Sequence, residues 1–498
     1  MSRNYTARAA KLRRIRAGGE LRTLELCSGC GGLSLGLAAS GFTLLAHLEN
    51  DPGAAETYAL NFKPPVGVVS AEWAAPRDMV LQSAEAVIEA LGLASPADEA
   101  FDVIAAGLPC QAFARIGRSK LRSIAGDHEA YRKDPRARLY QHFLKYVEAV
   151  QPVAIIIENV PDILNFGGHN VPEEICETLE LSGYQTGYTL LNAAYYGVPQ
   201  MRERLFLIGI DRSLGIRPGF PDPECVLELP PGYEGARTFA LRHIPPASRF
   251  LPIPEPARGL PEAVSVREAL SDLPYISDHF RDPASMRRRR ITDELPYRTA
   301  TGSGLSNYAR LMRAWPGFET DSFVTGNLVR LTPRDFPIFR RMRPGDDYPQ
   351  ALRIAEELFA ERLSAEPLLP RPGSKAWKEL RKLLVPPYDP GKFPNKWWKL
   401  DPALPSRTLT AHMGKDTYSH IHWDSRQQRT LSVREAARLQ SFPDGFQFSG
   451  SMNAAFRQIG NAVPPLLAQA VAERLRKDLM TLPVKESARP GAPDSKAA

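Results

Sequence analysis

The run Val153–Ile157, VAIII, constrains this chain more than any other segment. A stretch of consecutive apolar, mostly β-branched residues leaves neither face of a pleat for water, so it fits a strand buried on both sides of a sheet. Leu21–Cys27, Phe42–Leu48, Phe101–Ala106 and Leu205–Ile210 are further short apolar runs, and Leu33–Ala39 and Tyr140–Val150 carry helical spacing between them. Strands alternating with helices predict a doubly wound α/β sheet over residues 21–215. Such sheets bind ligands beyond the carboxyl ends of their strands. The residues that close each run are therefore the first candidates for chemistry.

Four closures stand out. Leu24–Gly32, LELCSGCGG, is a strand, a glycine-rich turn and a helix start, the arrangement that brings a nucleotide-like ligand to a helix N-terminus. It departs from the dinucleotide fingerprint, because Ser34 stands where the third glycine belongs. Glu49 closes the second run, where a carboxylate can accept from both hydroxyls of a ribose. Gly107–Gln111, GLPCQ, puts Cys110 on a loop after the third run, and Glu158–Val160, ENV, puts Glu158 after VAIII. Glu158 faces the crevice of Cys110 if those two strands are neighbours. In Gln200–Arg204, QMRER, an extended backbone carries Gln200, Arg202 and Arg204 on one face, and two guanidiniums there suit a carboxylate, a phosphate or the polar edge of a base.

The remainder has a different character. Residues 216–430 are rich in proline and arginine with short, irregular signals, and the clearest helices are Ala351–Arg362 and Ser374–Leu384. Helical spacing returns at Ser432–Gln440 and Pro464–Lys477, and the tail from about Lys485 reads as disordered. Residues 1–20 carry Arg3, Arg8, Lys11, Arg13, Arg14 and Arg16 against Glu20, which reads as a solvated, loosely ordered arm, with a phosphate-contacting arm as the alternative. The net charge of +7 agrees with a polyanionic partner. Neither a membrane span nor a signal peptide is evident, and a cytoplasmic setting is expected. The five cysteines do not suggest a disulfide framework, and no second pair completes a metal site with Cys27 and Cys30. His420 and His422 alternate without further ligands and read as structural, as does the tryptophan pair in Lys396–Lys399, KWWK.

The glycine turn, GLPCQ, ENV, QMRER, REAARLQSFP at Arg434–Pro443 and QIGNAVPP at Gln458–Pro465, in that order, closely resemble the DNA cytosine-5 methyltransferase family, over about residues 21–215 and 400–475. PSRTLT at Pro405–Thr410 is also typical of it. The resemblance implies a doubly wound, Rossmann-like S-adenosylmethionine-dependent methyltransferase domain at 21–215 and a smaller, irregular target-recognition domain at 216–430. Residues 431–480 would carry the recognition-domain helix and return to the catalytic domain, with a basic arm at 1–20 and a tail at 481–498. It makes Cys110 the nucleophile on C6 of cytosine, Glu158 the acid at N3 with a raised pKa, and Arg202 and Arg204 the pair holding the base edge. Glu25, Leu26, Ser28, Gly29, Gly31, Gly32 and Glu49 become cofactor contacts, with Asn461 and Val463 closing the same site.

The implied cofactor is S-adenosylmethionine, with no metal, and the implied partner is double-stranded DNA whose target base is flipped out. Candidate DNA contacts are Arg287–Arg290, Arg310, Arg313, Arg330, Arg334, Arg340, Arg341 and Arg343. A monomer in a restriction–modification system, beside a restriction endonuclease, is the expected setting. The same chemistry on transfer RNA and a catalytically inactive DNA-binding relative stay open as alternatives; a dinucleotide oxidoreductase is disfavoured by Ser34. The sequence departs from the family pattern at Cys27, where a phenylalanine is usual, and the acid often found near the adenine is not identifiable; Asp102 could equally be a strand-start residue.

Overall fold

The computed structural model describes residues 3–108, 139–165, 170–230, 233–242, 244–299, 304–365 and 370–481. Cys110 and the tail beyond residue 481 lie outside the described residues. Seven strands build the frame around the site: β1 (Leu21–Leu26), β2 (Phe42–Leu48), β3 (Val103–Gly107), β4 (Ala154–Asn159), β5 (Tyr184–Asn192), β6 (Gln200–Met201) and β7 (Glu203–Asp211). Six of them form one sheet in the order β2-β1-β3-β4-β7-β5. The first four in that order are mutually parallel, and VAIII supplies the buried β4.

One expectation is corrected here. The run Leu205–Ile210 is not a further parallel strand, because β7 lies antiparallel to both β4 and β5. The link from β5 to β7 is a short turn at Ala193–Tyr196 and the two-residue β6. A parallel return needs a crossover of a dozen or more residues, so this link can only fold the chain back on itself. The strand order changes direction beside β1 and β3, and the crevice beyond their carboxyl ends is where such a sheet takes a ligand.

The basic segment at the N-terminus is also corrected. Residues Arg3–Arg16 form helix α1, with Leu12 and Ile15 buried in the core. Arg8 donates to Ser182 O at 3.0 Å and lies 4.2 Å over the Tyr184 ring. The Lys11 ammonium donates to the carbonyls of Val150 and Gln151, and burial lowers its pKa to about 7. Arg14 and Arg22 pair with Asp102, which is fully buried just before β3. These partners stand where β3, β4 and β5 begin, at the edge opposite the ligand crevice. Arg8, Lys11 and Arg14 of α1 thus serve the fold, and Asp102 is a strand-start residue.

Helix α2 (Gly32–Ala39) follows the glycine turn and packs against the helix Pro465–Thr481. The approach is close: a Cβ on Gly36 would stand 2.4 Å from Gln469 N and 2.5 Å from the Ala468 Cβ. Beyond the sheet, the two helices expected in the 216–430 region are found at Tyr348–Ser364 and Lys375–Leu384, the second capped by Ser374. They belong to a separate apolar cluster built on Phe339, Tyr348, Phe359 and Trp397, so the KWWK tryptophan pair is partly core. Lys399 is buried as well, its ammonium donating to Phe339 O and Ser425 Oγ.

Gly36→Ala tests the helix contact. Alanine in place of a helical glycine ordinarily gains about 1 kcal/mol of helix propensity. Here overpacking against backbone costs about 1–3 kcal/mol, so the variant should unfold at lower denaturant concentration than the parent. Equal or higher stability in a denaturation curve would mean that the two helices part without cost.

Candidate active site

The turn after β1 is built on left-handed backbone. Cys27, Gly29 and Gly31 have φ of 54°, 57° and 96°. A Cβ on Gly31 would strike the Phe62 ring at 2.3 Å, and one on Gly32 would strike the Val463 carbonyl oxygen at 2.3 Å, so both positions admit only glycine at this spacing. Gly29 differs, since a Cβ there would meet nothing within 4 Å and the turn is open on that side. The Glu49 carboxylate accepts from Gly29 N and Asp51 N, each at 2.8 Å, which fixes it beside the open turn. Burial raises its pKa against those bonds. The glycine turn with a fixed carboxylate next to an open face fits an adenosyl group, whose ribose hydroxyls are donors and whose bulk needs the missing side chain.

Other expected contacts stand around this turn. Leu26 is fully buried at the end of β1. Ser28 holds its Oγ 3.2 Å from His47 Nδ1, while His47 Nε2 meets Trp73 O at 2.8 Å and the ring stacks 3.7 Å from Tyr58. Glu25 points its carboxyl to the Ser34 hydroxyl inside the fold, and Ser34 lies 2.8 Å from the Tyr58 hydroxyl. The Glu25 carboxyl therefore braces the first turn of α2. Val463 is buried against Gly32, and Asn461 is exposed at the end of the helix Met452–Asn461.

Two residues here escaped the sequence reading. Asp78 is half-buried close enough to Cys27 to help push that thiol's pKa up, and Met79 Sδ lies 3.4 Å from Cys27 Sγ. The acid sought near the cofactor crevice is thus best matched by Asp78 in the segment Arg77–Met79, whose backbone is tied to Glu49 by Arg77 N at 2.7 Å. Its only signal was a carboxylate followed by an apolar residue after a run of alanines. Met79 occupies space beside the cysteine that replaces the usual aromatic ring.

The second half of the site is built from β3, β4 and β7. Gly107 pairs directly with Glu158 across the parallel strands β3 and β4, so the segment leading to Cys110 leaves the sheet beside that carboxylate. Asn159 Nδ2 donates to Leu108 O at 3.2 Å and fixes the start of that departure. Glu158 is buried, and Arg204 Nε lies 3.0 Å from its Oε1. Burial raises the Glu158 pKa, with Arg204 and then Arg202 pulling the other way. Arg202 departs from the simple pair. Its guanidinium donates to the carbonyls of Leu409, Gly460 and Ala462, at 2.5, 2.9 and 3.1 Å. Gln200 does comparable work, donating to Leu439 O at 3.1 Å and accepting from Leu409 N at 2.9 Å. The face carried by QMRER therefore ties PSRTLT, REAARLQSFP and QIGNAVPP together, and Arg204 reaches the carboxylate.

The structure also sorts the candidate arginines. Arg313 is buried on Asp272, Arg289 pairs with Asp278, Arg334 with Asp335 and Arg341 with Glu361. Arg330 donates to the carbonyls of Met413 and Gly414 and to Asn453. Arg287, Arg288, Arg290, Arg310, Arg340 and Arg343 are exposed. Among the described residues no group of three or more His, Cys, Asp or Glu side chains could hold a metal ion. His420 bonds Arg407 O and Ser419, and His422 lies 3.4 Å from Glu435. No helix of the described residues is long and apolar enough to cross a membrane.

The buried Glu25 gives a pH test. Its pKa is raised from 4.5 to about 8, chiefly by burial, so the fold favours the protonated acid. The stabilisation is complete below pH 4.5 and is lost as pH rises to about 8. Glu25→Gln keeps the shape without the charge, so its thermal stability relative to the parent should rise between pH 5 and pH 9. A difference that stays constant over that interval would mean that Glu25 is ionised in the fold.

Comparison with known proteins agrees with this geometry. Residues 21–477 match the sequence model described as C-5 cytosine-specific DNA methylase. M.OihORF3336P of Oceanobacillus iheyensis, which bears the name of a type II methyltransferase, is 36% identical over 92% of this chain and 95% of its own length. Type II methyltransferase M.AgeI of Thalassovita gelatinovora is 31% identical over 92% of this chain and 99% of its own. The crystal structure of a DNA modification methyltransferase encoded within a prophage of E. coli superimposes with a TM-score of 0.56, covering 92% of this chain and 98% of that one at 22% identity, and shows the shared fold. A turn shaped for an adenosyl group, a buried carboxylate beside the GLPCQ strand and a match that runs nearly end to end lead to one statement: this chain belongs to the C-5 cytosine-specific DNA methylase family and is a DNA cytosine-5 methyltransferase, with S-adenosylmethionine as methyl donor and duplex DNA as substrate.

Proposed function

We propose that the enzyme methylates cytosine within one short duplex sequence through a covalent bond from Cys110 to C6 of a flipped base, and that it protects DNA as the modification half of a restriction–modification pair. The observation that carries this reading is the register of β3 and β4, which sets buried Glu158 beside the strand that leads to Cys110. C5 of cytosine is a weak nucleophile. A thiolate adding to C6 turns the ring into an enamine, and Glu158, whose pKa burial raises, acts as the acid toward N3 as that bond forms. Arg204 holds the Glu158 carboxyl in place and faces the base edge. Arg202 positions the surrounding segments through their carbonyls. When bound, S-adenosylmethionine supplies the sulfonium methyl that C5 accepts. Loss of the C5 proton to solvent, return of the N3 proton to Glu158 and departure of the thiolate then restore the ring and the enzyme.

Glu25, Leu26, Ser28, Gly29, Gly31, Gly32, Glu49, Asn461 and Val463 form the cofactor site in this reading, with Asp78 added to them. Residues 216–430 read the target, and the exposed Arg287, Arg288, Arg290, Arg310, Arg340 and Arg343 are the set available to phosphates and bases. One base is handled at each visit, which suits a monomer. The type II names of the relatives support the restriction–modification role and a nuclease of the same specificity nearby.

Incubation with labelled S-adenosylmethionine and unmethylated duplex DNA, beside transfer RNA, followed by mapping of methylcytosine, tests this directly. Methylation of one short DNA sequence is expected, with none by Cys110→Ser and a loss of about 100-fold or more in Glu158→Gln. Label in transfer RNA alone would move the substrate, and full activity in Cys110→Ser would remove the covalent step.

A further inference from the structure

One half-buried arginine of PSRTLT, outside the set of exposed arginines named above, holds its charge without an acid to grip. Among the described residues the Arg407 guanidinium forms no hydrogen bond and no ion pair. It lies on an aromatic ring instead. Its Cζ stands 3.3 Å from the centre of the Trp398 ring, a distance open only to a guanidinium lying flat on the ring face. Both backbones are fixed. His420 Nε2 meets Arg407 O at 3.1 Å, while Trp398 N donates to Tyr418 O and Trp398 O accepts from Ile421 N, each at 2.9 Å. Stacking uses the face of the guanidinium and leaves its in-plane donors open, the fork that grips two oxygens of one phosphate. Asp347, whose backbone pairs with Trp398, is the acid whose charge acts on Arg407, yet no ion pair joins the two.

The place of this fork gives it a role. The two-residue strand Ser406–Arg407 runs parallel to β6, with Ser406 opposite Gln200 and Arg407 opposite Met201. Thr408 Oγ1 donates to Met201 O at 2.7 Å, and Leu409 O accepts from Arg202. Arg407 therefore stands on the seam where the recognition region is stitched to the strand that carries Arg202 and Arg204. A base that leaves the duplex takes its own sugar and phosphates with it to the mouth of the pocket. Its groove edge no longer lies in the groove, so the acceptor that always accompanies it is a phosphate. We propose that Arg407, held flat on Trp398, binds a backbone phosphate of the flipped target nucleotide and so anchors that strand at the mouth of the active site. The inference rests on the base-flipping reading above.

The test uses the whole enzyme and a duplex carrying the sequence it methylates, with binding read by fluorescence anisotropy over a range of salt. R407Q should bind about tenfold more weakly, the scale of one charge-assisted contact. Its plot of log affinity against log salt should be shallower by about 0.9, the share of one phosphate. A neutral methylphosphonate placed in turn on either side of the target cytosine should weaken the parent about tenfold at one of the two positions and leave R407Q unchanged there. R407K keeps the charge without the planar fork. It should therefore keep the salt slope of the parent and show only part of the methylphosphonate loss, and it decides the matter if R407Q does not fold. Equal methylphosphonate losses in the parent and the variants overturn the proposal. So does an R407Q that binds as the parent does at every salt, which would make the stacked arginine purely structural. A preference relaxed at one base pair with an unchanged salt slope overturns it too, because Arg407 would then read a base. A fluorescent base analogue in place of the target cytosine separates this inference from the reading beneath it. No rise of its fluorescence in the parent complex would remove the flipped base, while the methylphosphonate result decides for Arg407 by itself.

Discussion

The rest of the molecule hangs on a group of guanidiniums buried away from water. Arg434 and Arg438 stand on the helix Val433–Leu439, Arg429 lies just before it, and Arg313 joins them from the helix Asn307–Arg313. Taking such an ion out of water costs several kcal/mol unless every donor finds a partner. Here each does much of its own accounting: Arg429 grips Glu435 through two bonds, Arg438 spans Asp272 and Asp444, and Arg434 ends on the carbonyls of Thr325, Pro443 and Phe446. Asp272 accepts from Arg313 and Arg438 together. Loss of one partner would strand a charge, at about 3–5 kcal/mol. The arrangement therefore admits one relative placement of chain segments that are far apart in sequence.

That placement reaches the reaction centre through uncharged groups. Gln440, at the end of the helix, donates to Ala462 O at 2.6 Å and accepts from Gln200. Arg202 takes the next carbonyl contacts on the same segment. The geometry around Gln200 and Arg202 is thus tied to packing near Val433–Leu439, while burial raises the Glu158 pKa against the pull of Arg204 and Arg202.

Much of this was legible in the sequence, for identifiable reasons. VAIII could only be a doubly buried strand, and Glu49 and Glu158, which close two of the runs, stand at the carboxyl ends of β2 and β4. The glycine turn, Glu49 and Glu158 carry their geometry in local spacing. Strand direction was not legible at Leu205–Ile210, because an apolar run looks the same in either sense and the short Ala193–Tyr196 link decided the matter. The N-terminal helix was misread because its charges meet partners distant in the chain, Asp102, Gln151 and Asp211 among them. Arg202 and Arg204 look equivalent as letters, yet their partners differ through the fold. The candidate arginines of 216–430 divide in the same way, since whether an arginine is spent on an aspartate such as Asp272 depends on residues no local pattern connects.

The close approach of α2 to the helix Pro465–Thr481 has a consequence for how the enzyme comes into being. Contacts such as Ser40 Oγ to Gln469 O join residues 429 positions apart. The glycine turn leaves the ribosome long before the backbone at Val463 that walls it. Until that helix emerges, the nascent sheet holds an unfinished cradle with an apolar face open to water. The cradle therefore closes only once the helix Pro465–Thr481 has been made, however early the sheet around it has formed.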